Sequence, residues 1–395
     1  MRQPVIIDGI RTPIGKLNGA LQDVQPEAMA ALLMQKICER NHFDPKLLDV
    51  AIWGHAKQSS DQPNIARLAS LIAQFPVELQ AYTVHRQCGS GMQALHNAAQ
   101  EIMCGYADFA LAGGVESMSN AQYYLRQCRR GYKVGNSVLL DPNTESQPRS
   151  QPSDQYGMLT MGMTAENIAE KYGITRTEQD EFAYASQLKT RQAMVTERFQ
   201  DEIIPVPVRQ KKATVLVTCD EHPRLSSLEQ LAGLKSAFKK DGTVTAGNSS
   251  GRNDGAALLL VAEATAAAAN GFKPVAKIIS QASCGVAPDF MGIGPVLATR
   301  LALQRAGLNV DDIDLFEINE AFAAQSLAVI KELGLEREKV NVNGGAIALG
   351  HPIGCSGARI LVTLLHELQK RQVKYGVATL CIAGGLGSAT VIELL

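Results

Sequence analysis

Short apolar runs alternate along this chain with stretches of helical periodicity, the grammar of an α/β protein. Residues 4–10 (PVIIDGI), 49–55 (DVAIWGH) and 108–115 (DFALAGGV) predict buried strands. Residues 89–104 set Met92, Leu95, Ala99, Ile102 and Met103 on one face of a helix, with Gly105 as its stop. The later half repeats the pattern. DIDLFEI (312–318) resembles DVAIWGH, GCSG (354–357) resembles CGSG (88–91), and CIAGGL (381–386) resembles ALAGGV (110–115). Asp49 precedes Cys88 by nearly the separation between Asp312 and Gly354. An internal duplication of a βα unit accounts for these matches. Between the halves the texture changes. Residues 126–157 are polar and turn-rich, a surface excursion. Helices are expected near 163–172 and 176–199, the second opened by the capping box Thr175-x-x-Glu178. Residues 201–240 read as irregular with short strands, and core texture returns at 242–264. The division this implies is one half at 1–118 and 249–270, an insertion at 119–248, and a second half at 271–395.

Composition narrows the function. At 395 residues the chain is long enough for two or three core units. Hydrophobic residues make up 46% and charged residues 19%, ordinary for a globular protein. The net charge of −1 carries no basic excess, so no nucleic-acid partner is expected. The paired cations Arg129-Arg130, Lys211-Lys212 and Lys239-Lys240 read as solvated faces, one of which could meet a phosphate. Eight cysteines show neither CxxC nor zinc spacing, which points to reduced thiols, a cytoplasmic setting and no metal. The apolar run beginning at Pro4 leaves no room for a leader, VIELL is not a peroxisomal address, and no run nears the ~18 residues of a membrane span.

The candidate chemistry sits on three glycine-rich turns, each after a strand-like run. They carry Cys88 (HRQCGSGMQALH), His351 (GGAIALGHPIGCSGAR) and Cys381 (TLCIAGGLGSAT). Cys88 immediately before a helix would face unsatisfied N–H groups, a setting that favours thiolate and can hold an oxyanion. A buried, inert cysteine is the competing reading. Gly89-x-Gly91-x-x-Ala94 also matches a dinucleotide fingerprint, with Asp108 as the ribose acid, but Glu101 and Asp108 fit better on the helix and the next strand. Pro352 holds His351 extended. Asn319, after DLFEI, could hold a water or carbonyl, or simply cap a helix. Thiols and an imidazole on converging turns suggest covalent chemistry on a thioester.

Together the motifs RQCGSGMQAL, AGGVESMS, MGMTAENIA, TAGNSSGRNDGAA, EINEAFAAQ and GHPIGCSGAR, ending in CIAGGLGSA, resemble the thiolase family over essentially the whole chain. That resemblance implies two duplicated βαβαβαββ halves in a five-layer αβαβα arrangement, with an inserted loop domain for CoA binding and oligomer contacts. It implies Cys88 as the acylated nucleophile, His351 as its activator and Cys381 as the acid/base. Asn319 would hold a water that binds the thioester oxygen together with His351, and the N–H groups of Cys88 and Ala383 would form a second oxyanion hole. CoA would meet Arg224, Phe238, Ala246 and Ser250, and Met161, Met291, Ala321 and Phe322 would line the acyl and pantetheine tunnel. The family needs no metal or resident cofactor, CoA and acyl-CoA being substrates, and forms dimers or tetramers. Three positions depart from its pattern: Thr160 in place of a frequent His, Ala383 in place of Gly, and Arg252 where small or apolar residues are usual. A decarboxylating ketoacyl synthase is disfavoured by Cys381, a non-catalytic acyl-CoA or lipid carrier by the full catalytic set, and a cysteine protease by the two-cysteine site.

Overall fold

A computed structural model describes residues 2–210 and 213–395, so the Lys211-Lys212 pair lies outside the described residues. The first half runs β1 (Pro4–Arg11), β2 (Gly15–Lys16), α1 (Pro26–Asn41), β3 (Val50–Gly54), α2 (Ile65–Ile72), β4 (Gln80–Val84), α3 (Ser90–Cys104) and β5 (Phe109–Ser117). A long excursion follows. It holds α4 (Pro142–Glu145), α5 (Ser153–Tyr156), α6 (Met161–Tyr172), α7 (Arg176–Val195), the hairpin β6 (Val206–Arg209) and β7 (Thr214–Val217), and α8 (Leu228–Ala232). The chain returns through β8 (Asn253–Glu263) and α9 (Ala264–Ala269). The second half runs β9 (Ala276–Gly285), α10 (Gly294–Ala306), β10 (Leu315–Ile318), α11 (Ala323–Leu333), α12 (Ala346–Leu349), α13 (Ile353–Arg371), β11 (Tyr375–Ile382) and β12 (Leu386–Leu394).

The strands lie in the order β4-β3-β5-β8-β1-β9-β12-β11-β10. The outer strands of each half are parallel and the inner ones antiparallel. The halves join where β1 meets β9 through only Val5↔Lys277 and Ile6↔Ala276. Alternate residues of one strand go to opposite faces, and here both faces are buried. Ala51, Trp53, Leu258 and Leu260 enter one core, with α1 and α2. Val50, Ile52, Leu259 and Val261 enter a second, with α3 and α13 between the half-sheets. A third core joins α10 and α11 to the other face of the second half-sheet. The five αβαβα layers follow from these contacts.

The duplication is real, but its register differs from the sequence matches. Asp49 Oδ2 accepts the Asp108 and Phe109 N–H groups at 2.6 and 3.0 Å. Asp314 Oδ2 accepts those of Lys374 and Tyr375 at 2.9 and 2.8 Å. The equivalent of Asp49 is therefore Asp314, not Asp312, which instead accepts the Asn309 N–H. Strand pairing then sets ALAGG (110–114) against GVATL (376–380). The AGG of CIAGGL falls in the turn after β11, and its likeness to β5 is accidental. The CGSG and GCSG match stands. A Cβ on Gly91 would lie 2.9 Å from Ala358 N, and one on Gly357 2.5 Å from Met92 N. These reciprocal contacts mark a pseudo-twofold axis at which α3 and α13 cross with backbone nearly touching. The counterpart of β4 shrinks to one bridge, Phe316↔Val340.

Gly105 ends α3 in the left-handed conformation. Met103 is 39% exposed, unlike Met92, Leu95, Ala99 and Ile102, because one residue past Ile102 turns it about 100° off their face. Thr175 and Glu178 form the expected capping box. Helix α7 stops before residue 199, with Glu197 at φ +55°. No helix among the described residues is long and apolar enough to cross a membrane.

Candidate active site

Cys88 sits between β4 and α3 on a strained turn. Gln87 takes φ +48°, a left-handed conformation unusual for a side chain of its size. Ser90 fastens the turn, accepting the Arg86 N–H at 2.8 Å and donating to Gln87 O at 2.6 Å. The backbone N–H groups of Ala383 and of Cys88 itself are aimed at the Cys88 sulfur. Burial nonetheless pushes this thiol up, outweighing those N–H groups and the charge of Lys57. This corrects the expectation of a lowered pKa: Gly89 is the helix cap, so Cys88 lies just outside the first turn, where the helix field fades.

Ala383 tolerates its place because φ is not positive there; Gly384 (+90°) and Gly385 (+83°) take the left-handed positions. Cys381, at the end of β11, is buried against Met291, Ala321 and Phe322. Burial, and then the nearby Cys88, drive its thiol far above the usual range.

His351 is fixed at three points. Its N–H donates to Asn253 Oδ1 at 2.9 Å, and its backbone bridges Arg252. Its Nδ1 lies 2.6 Å from Ser356 Oγ. Ser356 spends its own hydrogen on Pro352 O at 2.9 Å, so Nδ1 carries the proton and Nε2 keeps its lone pair. Burial, with the charge of Arg359, lowers the imidazole pKa to about 4. At neutral pH it is an uncharged base.

Cys88, His351 and Cys381 all line one cavity of about 170 Å³. Six predicted tunnel and CoA residues share it: Met161, Phe238, Ser250, Met291, Ala321 and Phe322. Phe238 and Phe322 meet edge to face at 6.0 Å. Arg224 and Ala246 stand apart on the exposed surface, joined by Arg224 Nη2 donating to Ala246 O at 3.1 Å. Asn319, at the end of β10, is outside the cavity wall and wholly buried. Its Oδ1 and Nδ2 have no hydrogen-bond partner among the described residues. Thr160 caps α6, accepting the Met163 N–H at 3.4 Å, and is absent from the cavity wall. Among the described residues no group of three His, Cys, Asp or Glu side chains could hold a metal ion.

Sequence reasoning missed Ser356 and Glu116. Glu116 is fully buried and accepts N–H groups from Ala56 (3.1 Å), Lys57 (3.1 Å) and Gly354 (2.9 Å), with His55 Nε2 at 3.2 Å. It thus ties the loop after β3 to the turn that carries His351. A carboxylate ending the apolar run ALAGGVES was the available signal.

Fold and site define an α/β enzyme with a two-cysteine, one-histidine cavity at a duplicated strand–helix junction. Family models agree: residues 4–265 match the thiolase N-terminal domain and 272–394 the thiolase C-terminal domain. The chain belongs to the thiolase family and is an acyltransferase. It is 48% identical over 396 residues, covering both chains fully, to an acetyl-CoA acetyltransferase of Syntrophomonas wolfei. The crystal structure of the Bacillus anthracis acetyl-CoA acetyltransferase superposes with TM-score 0.97 at 46% identity, covering 100% of this chain and 99% of that one. That of human mitochondrial 3-ketoacyl-CoA thiolase in complex with CoA gives 0.95 at 42%, covering 100% and 98%.

Proposed function

We propose that this enzyme transfers acyl groups between CoA thioesters through an acyl group on Cys88, joining two acetyl-CoA into acetoacetyl-CoA and CoA or cleaving 3-ketoacyl-CoA in reverse. The observation that carries this reading is the single cavity lined by Cys88, His351 and Cys381 together. His351 Nε2 takes the Cys88 proton as the sulfur attacks the thioester carbon. The carbon–sulfur bond to CoA breaks, and CoA leaves with the proton of Cys381. The Cys381 thiolate then removes a proton from the methyl of a second acetyl-CoA. The resulting enolate attacks the acetyl carbonyl, and Cys88 leaves and recovers its proton from His351. The N–H groups of Cys88 and Ala383 hold the tetrahedral oxyanion, each donor lowering the barrier by about 3–4 kcal/mol. The unpartnered amide of Asn319 suits a bound water that, with His351, holds the enolate oxygen.

Phe238, Ser250, Met161, Met291, Ala321 and Phe322 take the pantetheine and acyl chain, and Arg224 with Ala246 meets CoA outside. The complete catalytic set favours this reading over a non-catalytic carrier. Exposed apolar side chains on the excursion, among them Leu125, Val134, Val138 and Leu139, support a homo-oligomer. The test is intact-protein mass after mixing with acetyl-CoA. One acetyl group should appear on Cys88 and leave on adding CoA. No acylation by any short acyl-CoA or 3-ketoacyl-CoA would sink the reading.

A further inference from the structure

Part of the cavity lining is polar and cationic, a poor match for an alkyl chain. Arg252 lines it beside the amides of Asn143 and Gln147, which follow or belong to α4. The Arg252 backbone bridges His351, so its side chain starts next to the reacting centre. Asp141 Oδ2 lies 3.6 Å from Nη1, and Nη2 reaches Thr144 Oγ1 at 3.4 Å. Both contacts are long, and the side chain stays 42% exposed. Most of its five donors are thus uncommitted among the described residues. Lys57 lies outside the cavity lining; it is buried, donates to Pro142 O at 3.1 Å and to Ser146 Oγ, and its charge acts on Cys88. Glu116 is the main counter-charge to Lys57, with Asp141 behind it, so Arg252 is left with only its long contact to Asp141. A guanidinium fork with free donors matches a planar carboxylate.

We propose that the acyl pocket accepts 3-oxoacyl-CoA thioesters whose acyl chain ends in a carboxylate, with Arg252 as the residue that selects it. The inference rests on the cavity being the acyl site of the thiolase reaction. Cys88 attacks C3 of such a substrate, passing its proton to His351. The C2–C3 bond breaks, C2 takes a proton from Cys381, and acetyl-CoA leaves. The ω-carboxyacyl group stays on Cys88, its carboxylate on Arg252, until the sulfur of a second CoA takes it. CoA gives its proton to Cys381, and Cys88 recovers its own from His351.

The test compares two six-carbon substrates, 3-oxoadipyl-CoA and 3-oxohexanoyl-CoA, with acetoacetyl-CoA as reference, in the full-length wild type and in Arg252→Leu and Arg252→Lys. Wild type should favour the carboxylated substrate in kcat/KM by about tenfold or more. Arg252→Leu should lower that ratio at least about tenfold, chiefly through KM, and Arg252→Lys should keep part of it. Mass spectrometry of wild type mixed with 3-oxoadipyl-CoA and no CoA should find a succinyl group on Cys88. Cleavage of acetoacetyl-CoA without any preference for the carboxylate overturns the proposal alone. So does a fall in both six-carbon substrates together in the leucine variant, which would make Arg252 a clamp on residues 141–144. Failure of wild type to cleave acetoacetyl-CoA overturns the thiolase reading and the proposal with it.

Discussion

Replacing Ser356 by alanine leaves His351 Nδ1 without the acceptor that fixes its proton. Ser356 is fully buried, so bulk water does not take over the role. A buried donor left unsatisfied costs about 1–3 kcal/mol. That cost falls on the tautomer whose Nε2 is free to take the Cys88 proton, and the imidazole turns toward the unproductive one. At 1.36 kcal/mol per tenfold, kcat should fall roughly 5- to 150-fold. KM should change little, because Nδ1 faces Ser356 and not the substrate. The imidazolium loses an acceptor too, so the acid limb of the pH–rate profile should move to lower pH. Pro352 O loses one donor but keeps the N–H groups of Cys355 and Ser356, so the stability cost there should not exceed about 1 kcal/mol. Steady-state acetoacetyl-CoA thiolysis across pH, with single-turnover acylation and thermal unfolding, separates these effects. A kcat within twofold of wild type and an unmoved acid limb would refute the tautomer argument. A rise in KM alone would refute it as well.

The wild-type pH–rate profile should keep its activity well below pH 6.5 and lose it only as His351 protonates near pH 4; an acid limb at 6.5 would show a solvated imidazole. The same depression makes stability pH-dependent. It is fully present above 6.5, the unfolded value, and drains away as pH falls from there to about 4. Burial alone would raise Glu116, but His55, Lys57 and the Gly354 N–H hold it below 4.5, so its contribution is lost only below that value. A melting temperature at pH 4.5 equal to that at pH 7 contradicts the His351 part. Glu116→Ala strands His55 and three N–H donors and should cost about 3–5 kcal/mol in denaturant unfolding, against under 1 for a surface glutamate. Gly357→Ala puts a methyl 2.5 Å from Met92 N and should cost about 1–3 kcal/mol, measured by thermal unfolding. Cys88→Ala should show no acetyl adduct, whereas Cys381→Ala, lacking the proton for departing CoA, should acylate more slowly and not condense, as read by mass and by acetoacetyl-CoA formation.

Much of the candidate active site was legible because the signals that mark it are local. Cys88 stands on a turn after β4, as expected, whereas Cys381 is still within β11 just before its glycine turn and His351 follows the short helix α12 and not a strand; the glycines beside all three mark close backbone approach. The helix after Cys88 and the capping box at Thr175 follow from side chains within a few residues of each other. Short-range rules of this kind need no knowledge of the fold.

What distance in the chain hides, only packing decided. The register of the duplication turned on which aspartate caps the neighbouring strand, and two candidates two residues apart look alike until the strands pair. The sign of the Cys88 shift turned on burial against a helix field. A helix start is visible in the sequence; the dielectric around a sulfur is set by residues from both halves. Ser356 and Glu116 carry no rare chemistry, and each matters through a partner: His351 five residues away, and Gly354, 238 residues further along the chain. Arg252 was visible as an oddity. The fold alone brought it to the cavity wall and set Asp141 and Lys57 around it, because a charge means something for a substrate only once its neighbours are in place.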